Sequence, residues 1–387
     1  MIIKDLFLLE PEIIFLNHGS FGACPRPVFE TYQAWQRRLE QQPVQFLGVE
    51  FERHLFEARQ SLAAYLHSPV DSLVYVPNAT HGVNIVAQSL DLKPGDEILS
   101  TDQEYGACDL IWKFVCGRKG AIYRQRPISL PASSQEDIAR QLWQGVTSHT
   151  RVIFLSHITS PTALTIPVQL ICARAREAGI LTIIDGAHAP GQIEVDLQSL
   201  QADFYAGNCH KWMMSPKGAG FLYARCDVQH LVKPLVVSWG YQSNFSPPHE
   251  SKFIDFLQWT GTQDPAAYLS VPAAIEFMQK YHWEVIRRSC HQLLQYAIEK
   301  ICNLTGISPL YSPGSDFYQQ MATIPIPHMR DLCELKDRLY NEYNIEIPCI
   351  DWDNRHFIRI SVQGYNSKAD IDNLIGALVK FLPVFQE

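Results

Sequence analysis

Short apolar runs that end in polar residues recur through the first two-thirds of the chain: SLVYVPN, DEILSTDQE, RVIFLSH, ILTIIDGAH, ADFYAGNCH and AGFLYAR. Rich in β-branched, leucine and aromatic residues, they read as buried strands. Stretches with helical spacing lie between several of them. HGVNIVAQSL follows the first run, ACDLIWKFVCGRKG the second and PVQLICARAREAG the third. Such alternation predicts a mostly parallel sheet covered by helices on both faces. PGDE at Pro94–Glu97 and REAG at Arg176–Gly179 supply turn and helix-stop chemistry. Beyond about Pro265 the pattern changes. Ala266–Leu304 reads as one or two helices, followed by weaker strands (QMATIPIP, IEIPCI, HFIRISV) and two more helices. The last begins at Ser367 with Asp370 in its first turn, a pairing suited to a helix start. This part reads as α+β.

Composition narrows the class. A chain of 387 residues has room for more than one compact unit. With 47% hydrophobic and 19% charged residues it reads as globular, and a net charge of −8 argues against a nucleic-acid surface. No apolar run reaches the roughly 18 residues of a membrane span. Acidic residues interrupt the opening MIIKDLFLLEPEIIF, so it does not read as a signal peptide. Ten cysteines without a CxxC pair read as reduced thiols, and the expected location is cytoplasmic.

Four segments carry chemistry. In IIDGAHAPGQ, Asp185 ends an apolar run, where ligands gather in open α/β sheets. It could ligate a metal, act as a base, hold a cationic ring nitrogen, or merely cap a helix. In ADFYAGNCHKWMMSPKGAGFLYAR, Lys211 follows His210 at another strand end. Burial there would make its amine a nucleophile, whereas Lys217, in the SPKGAG turn, reads as a surface lysine. In PNATHGVNIVAQSL a strand runs into a helix start that suits a phosphate, although Asn78 or Thr80 could simply cap the helix. In HFIRISVQGYNS, Arg359 sits inside a short apolar strand. A half-buried guanidinium there needs a carboxylate or phosphate, either a ligand's or that of an internal ion pair. No Walker A or GxGxxG pattern occurs, which counts against nucleotide and dinucleotide sites.

Together these segments resemble the class V aminotransferases, fold-type-I enzymes that use pyridoxal 5′-phosphate (PLP) and include the cysteine desulfurases. FLNHGSFGACPRPV at Phe15–Val28, with SHITSPTALTIPV, DGAHAPGQ and NCHKWM, resembles the isopenicillin N epimerase-like branch. The resemblance covers about residues 12–383. It implies an α/β fold: a large domain (20–265) with a mostly parallel seven-stranded sheet, and a smaller α+β domain from 1–19 with 266–387. It implies that Lys211 is the Schiff-base lysine and proton shuttle, that Asp185 holds the pyridine nitrogen protonated, and that His188 contacts the ring hydroxyl. Tyr105 falls where desulfurases stack a histidine on the ring, and its phenol offers a proton donor. Ala79, Thr80, Asn208 and His210 match the phosphate cradle. Thr262 resembles the residue that reaches the phosphate of the partner subunit, which implies a homodimer with composite sites. Arg359 matches the clamp for the substrate carboxylate, with Asn17 and His18 near the same pocket. No metal, nucleic acid or membrane is implied.

The implied activity is chemistry on an amino acid through a substrate Schiff base and a Cα carbanion, with epimerisation first. Cysteine or cystine C–S lyase chemistry and cysteine desulfuration are the alternatives, and non-catalytic PLP binding is an alternative of another class. Two departures from the family bear on this. Where relatives have an Asn followed by a Glu–x–Gly turn, this chain has SHITSPTAL, so the polar contact to the ring falls to Ser160 or Thr159. The only candidate desulfurase thiol is Cys349, in the strand-like EIPCI, which reads as a core cysteine.

Overall fold

A computed structural model describes residues 3–242, 252–312 and 314–385. Twelve strands occur among them: β1 (Ile14–Phe15), β2 (Leu73–Val76), β3 (Glu97–Thr101), β4 (Ile122–Arg126), β5 (Thr150–Ser156), β6 (Leu181–Gly186), β7 (Phe204–Asn208), β8 (Gly220–Ala224), β9 (Met321–Ile326), β10 (Ile345–Glu346), β11 (Cys349–Trp352) and β12 (Arg355–Ser361). Seven form one sheet in the order β2-β8-β7-β6-β5-β3-β4. β8 runs antiparallel to both of its neighbours and the other pairings are parallel. The α/β fold with a mostly parallel seven-stranded sheet is therefore present.

Both faces of this sheet are dry. On β5, Val152 and Phe154 join one core with the helices Ala79–Ser89 and Gly106–Lys119, while Ile153 and Leu155 join the other. This two-sided burial is why the strands read as unbroken apolar runs rather than alternating ones. β4 (IYRQR) departs from the run-based reading. It is an exposed edge strand, held in register by β3 and by an Arg124–Glu97 ion pair at 2.6 Å. The helices Arg26–Gln41 and Phe51–Tyr65, ahead of β2, are likewise absent from that reading.

In the C-terminal part, Ala266–Leu304 forms three helical pieces rather than one or two: Ala266–Leu269, Val271–Lys280 and Trp283–Thr305. A second, antiparallel sheet has the order β11-β12-β9. β1 pairs in parallel with β10, Ile14 opposite Ile345, so the start of the chain packs with its last third. No helix among the described residues is long and apolar enough to cross a membrane.

Candidate active site

The carboxyl ends of β5, β6 and β7 open into one cavity of about 350 Å³. Parallel strands end here with their backbone pairing finished, and their last side chains face an open crevice. β6 delivers Asp185, β7 delivers Asn208, and the loop after β7 delivers His210 and Lys211. Thr80 comes from the start of the helix Ala79–Ser89, Tyr105 from the start of the helix Gly106–Lys119, and His188 from the loop after β6. Residues distant in sequence thus share one wall.

Asp185 is not a helix cap. One carboxylate oxygen accepts from the Ala187 amide (2.9 Å) and the other from the Cys108 thiol (3.4 Å). Burial raises its pKa, and the nearby Lys211 cation acts against that rise. Gly186, next along β6, has no room for a side chain: a Cβ there would lie 2.0 Å from the Tyr205 ring. The Tyr205 hydroxyl is held in turn by His157 at 2.9 Å.

Burial lowers the Lys211 ammonium from 10.5 to about 8, with Asp185 opposing and Arg359 reinforcing the shift. The Lys211 Nζ lies 3.2 Å from His188 Nε2. The Trp212 indole N–H donates to His188 Nδ1 at 3.3 Å. Burial first, then the Lys211 and Arg359 charges, hold His188 well below its ordinary pKa and hence neutral. With Nδ1 occupied as an acceptor, the ring proton sits on Nε2 and faces Lys211, a contact that is a hydrogen bond only when the Lys211 amine has lost its proton.

At the opposite end of the wall stand the phosphate-cradle candidates. The Asn208 Oδ1 accepts from the Ala79 amide (2.8 Å), which leaves the Asn208 amide group as the donor toward the cavity. Ala79 is thus buried as an anchor for Asn208, while Thr80 is on the cavity wall itself. His210 Nδ1 is committed to the Ala219 carbonyl at 2.9 Å, and burial lowers the ring to about 4. Thr262 is exposed and lies outside this cavity wall.

Arg359, on β12, donates to the Ser160 carbonyl (2.8 Å) and hydroxyl (3.1 Å) and to the Ser20 hydroxyl (3.1 Å). Both serines line the cavity. The Arg359 Nε is buried without a partner, and no ion pair to this arginine occurs among the described residues. Burial lowers the guanidinium to about 10. The internal ion-pair alternative therefore has no carboxylate to support it.

Asn17 and His18 stand one layer behind the wall because both side chains are already engaged. Asn17 Nδ2 donates to Glu346 (2.9 Å), and its Oδ1 accepts from Ser20 (2.5 Å). His18 contacts the Lys211 carbonyl (3.1 Å) and the Tyr365 hydroxyl (2.9 Å). Lys217 is solvent-exposed, as expected of a turn, yet it also lines the cavity and donates to the Gly22 carbonyl at 3.0 Å. Of the two candidates in SHITSPTAL, Ser160 faces the cavity, while the Thr159 hydroxyl is buried against Thr162 and the Leu164 amide. Cys349 is half-buried, lies outside the cavity wall, and has its thiol pushed up to about 12 by burial. Ser20 and Ser156, which line the cavity, and Cys108, which bonds Asp185, are among the residues that sequence reading missed. Ser20 lies within the Phe15–Val28 segment, but nothing in its local pattern marks it apart from its neighbours.

The aminotransferase class-V profile matches residues 17–374. An isopenicillin N epimerase of Amycolatopsis lactamdurans is 32% identical over 386 residues, spanning 97% of this chain and 96% of its own. An L-cysteine desulfhydrase of Arabidopsis thaliana is 26% identical over 413 residues, spanning 95% and 87%. The solved complex of the cystine C-S lyase C-DES with its product cysteine persulfide superposes with a TM-score of 0.85 at 23% identity, covering 97% of this chain and 99% of that one.

Proposed function

The chain belongs to the aminotransferase class-V family, and from that premise we propose that it is a PLP-dependent enzyme that inverts the Cα centre of an amino acid. The observation that carries the amino-acid reading is a half-buried amine, Lys211, on the cavity wall, with the buried Arg359 guanidinium bonded to two serines, Ser20 and Ser160, that line the same cavity. Lys211 is held near an amine's working pKa, and Arg359 is desolvated with an unpartnered Nε. A substrate carboxylate supplies the partner that Arg359 lacks.

The residues present fit PLP. A buried carboxylate on the wall, Asp185, matches a cationic ring nitrogen, and the group Thr80, Asn208 and His210 beside a helix start matches a phosphate. Those residues, with Lys211 and His188, would hold the cofactor, and Thr262 would reach the phosphate of the partner in a homodimer. When bound, PLP supplies an electron-withdrawing ring that makes the Cα proton of an amine-linked substrate removable. Lys211 then takes a proton at Nζ. Tyr105, on the same cavity wall, offers a phenolic proton from a separate position, as inversion of a centre demands. Arg359 would hold the substrate carboxylate. We also assign residues 20–265 to a large domain and 1–19 with 266–387 to a small one, a division supported by the β1–β10 pairing. A cytoplasmic location is part of the same reading.

The epimerase reading draws on the relative at 32% identity over nearly the whole chain. The C–S lyase reading has support of its own in the desulfhydrase relative. The desulfurase reading is the weaker, because a thiol pushed up to about 12 is a poor nucleophile. The deciding experiment incubates holoenzyme with single L- and D-amino acids in deuterated water. Cα deuterium with racemised substrate supports the proposal. Sulfide release without inversion makes the enzyme a lyase, and no exchange with any amino acid leaves a binding protein.

A further inference from the structure

Residues 17–22 touch both reactive ends of the site, and no role in chemistry explains why. His18 is fully buried, with its ring packed against Trp212 at 5.0 Å between centroids. A carbonyl only accepts, so the contact to Lys211 O requires the His18 proton on Nε2, and the Tyr365 hydroxyl then donates to Nδ1. Burial lowers His18 to about 3, which keeps the ring neutral. Four residues on, Gly22 lies flush against the backbone of the same lysine. Its φ is +71°, and a Cβ there would stand 2.1 Å from the His210 carbonyl oxygen and 3.0 Å from Lys211 Cα. The Lys217 ammonium clamps the Gly22 carbonyl from outside. Between these contacts, Ser20 donates to Asn17 Oδ1 and accepts from Arg359 Nη2. The backbone is pinned as well: the Ser361 amide donates to the Leu16 carbonyl at 2.8 Å, and Asn17 bridges Ser361 in parallel.

We propose that residues 17–22 form a positioning strap that sets the separation of the two reactive ends, His18 acting through the Lys211 backbone and Ser20 through the Arg359 guanidinium. The proposal rests on the reading of Lys211 as the cofactor-bearing lysine and Arg359 as the carboxylate clamp. It makes Ser20 a determinant of selectivity for amines that carry an α-carboxylate. It also makes Asn17 and His18 positioning residues that never meet the substrate.

The test compares L-alanine with ethylamine, which differ by the carboxylate, in holoenzyme titrations followed by cofactor absorption. Ser20→Ala should weaken alanine binding roughly tenfold, the order expected for one lost hydrogen bond to a charged group, and leave ethylamine unchanged. Ser20→Thr, which keeps the hydroxyl, should restore alanine binding. For the other end, the rate at which the yellow lysine adduct re-forms after ethylamine is removed should fall about fivefold in His18→Leu, again the scale of one hydrogen bond. His18→Gln, whose amide reaches as far as Nε2, should recover it. Should His18→Leu fail to fold, His18→Asn against His18→Gln poses the same question, because asparagine stops short of the carbonyl. Equal loss for alanine and ethylamine in Ser20→Ala, or unchanged adduct kinetics in the His18 variants, overturns the strap. Arg359→Met and Lys211→Ala test the underlying reading separately. If Arg359→Met still favours alanine as wild type does, or Lys211→Ala still carries a borohydride-fixed label, the strap has nothing to position and falls for that distinct reason.

Discussion

Replacing Asp185 by asparagine keeps its shape and its bond to the Ala187 amide but removes the charge that a ring cation would need. Asp185→Asn is expected to retain PLP and lose more than about 100-fold in kcat, the scale of removing one preorganised electrostatic group. Activity within a few-fold of wild type would return Asp185 to a structural role. Lys211 carries a pH signature. Its pKa falls from 10.5 unfolded to about 8 folded, so between those values the unfolded chain binds more protons and stability rises with pH. Without cofactor, Lys211→Met should melt above wild type at pH 7, and the gap should close as the pH approaches 10.5. A gap independent of pH would contradict a desolvated amine. Arg359→Lys should cost roughly 2–5 kcal/mol of amino-acid binding with the cofactor spectrum unchanged. Asp185, Lys211 and Arg359 were legible in the sequence because each sets a charge inside or at the end of an apolar strand, where burial must answer it. Ser20 and Cys108 were not, because a small polar residue gains its meaning only from what it touches. The Cys108 thiol reaches Asp185 across 77 positions of chain.

β6 ends in a glycine for a packing reason. Since a Cβ at Gly186 would enter the ring of Tyr205, itself tied to His157, Gly186→Ala should destabilise the protein by about 1–3 kcal/mol, the usual cost of overpacking a core. Chemical denaturation would measure it, and a neutral result would mean that Tyr205 can swing aside. Strands such as β5 and β6 were legible because two dry faces leave no polar position to break the run. β4 was not, because an edge strand with exposed side chains needs no apolar pattern and takes its register from β3. The helix Arg26–Gln41 escaped for a related reason, since Val28 is its one fully buried residue. Ala266–Leu304 reads as one or two helices rather than three because every piece is helical. The break at His282, whose φ is +50°, is a local turn without a glycine or proline to announce it, whereas the break at Ser270 carries Pro272 in the first turn of the next helix, a signal that the sequence pattern offered and the reading passed over.

At the scale of the whole molecule, the proposed homodimer predicts twice the chain mass in sedimentation. It also predicts that Thr262→Ala loses cofactor more readily on dialysis, although Thr262 lies outside its own subunit's cavity wall. A monomer with full activity would remove Thr262 from the site. The strap, by contrast, joins one subunit's own extremes: Ser20 meets Arg359 across 339 positions of chain. That separation has a consequence for biosynthesis. At roughly 5–20 residues per second, the ribosome finishes the parallel strands and Lys211 on the order of ten seconds before β12 emerges. During that interval the nascent protein owns an amine on a completed seven-stranded sheet, while its opening segment lacks the contacts that β12 supplies. The site closes only when translation is nearly over, so chains that terminate before β12 are expected to lack the Arg359 and Ser361 contacts of the opening segment and to be cut readily within residues 10–25. Limited proteolysis of ribosome-bound chains stalled on either side of Ser361 would time that closure.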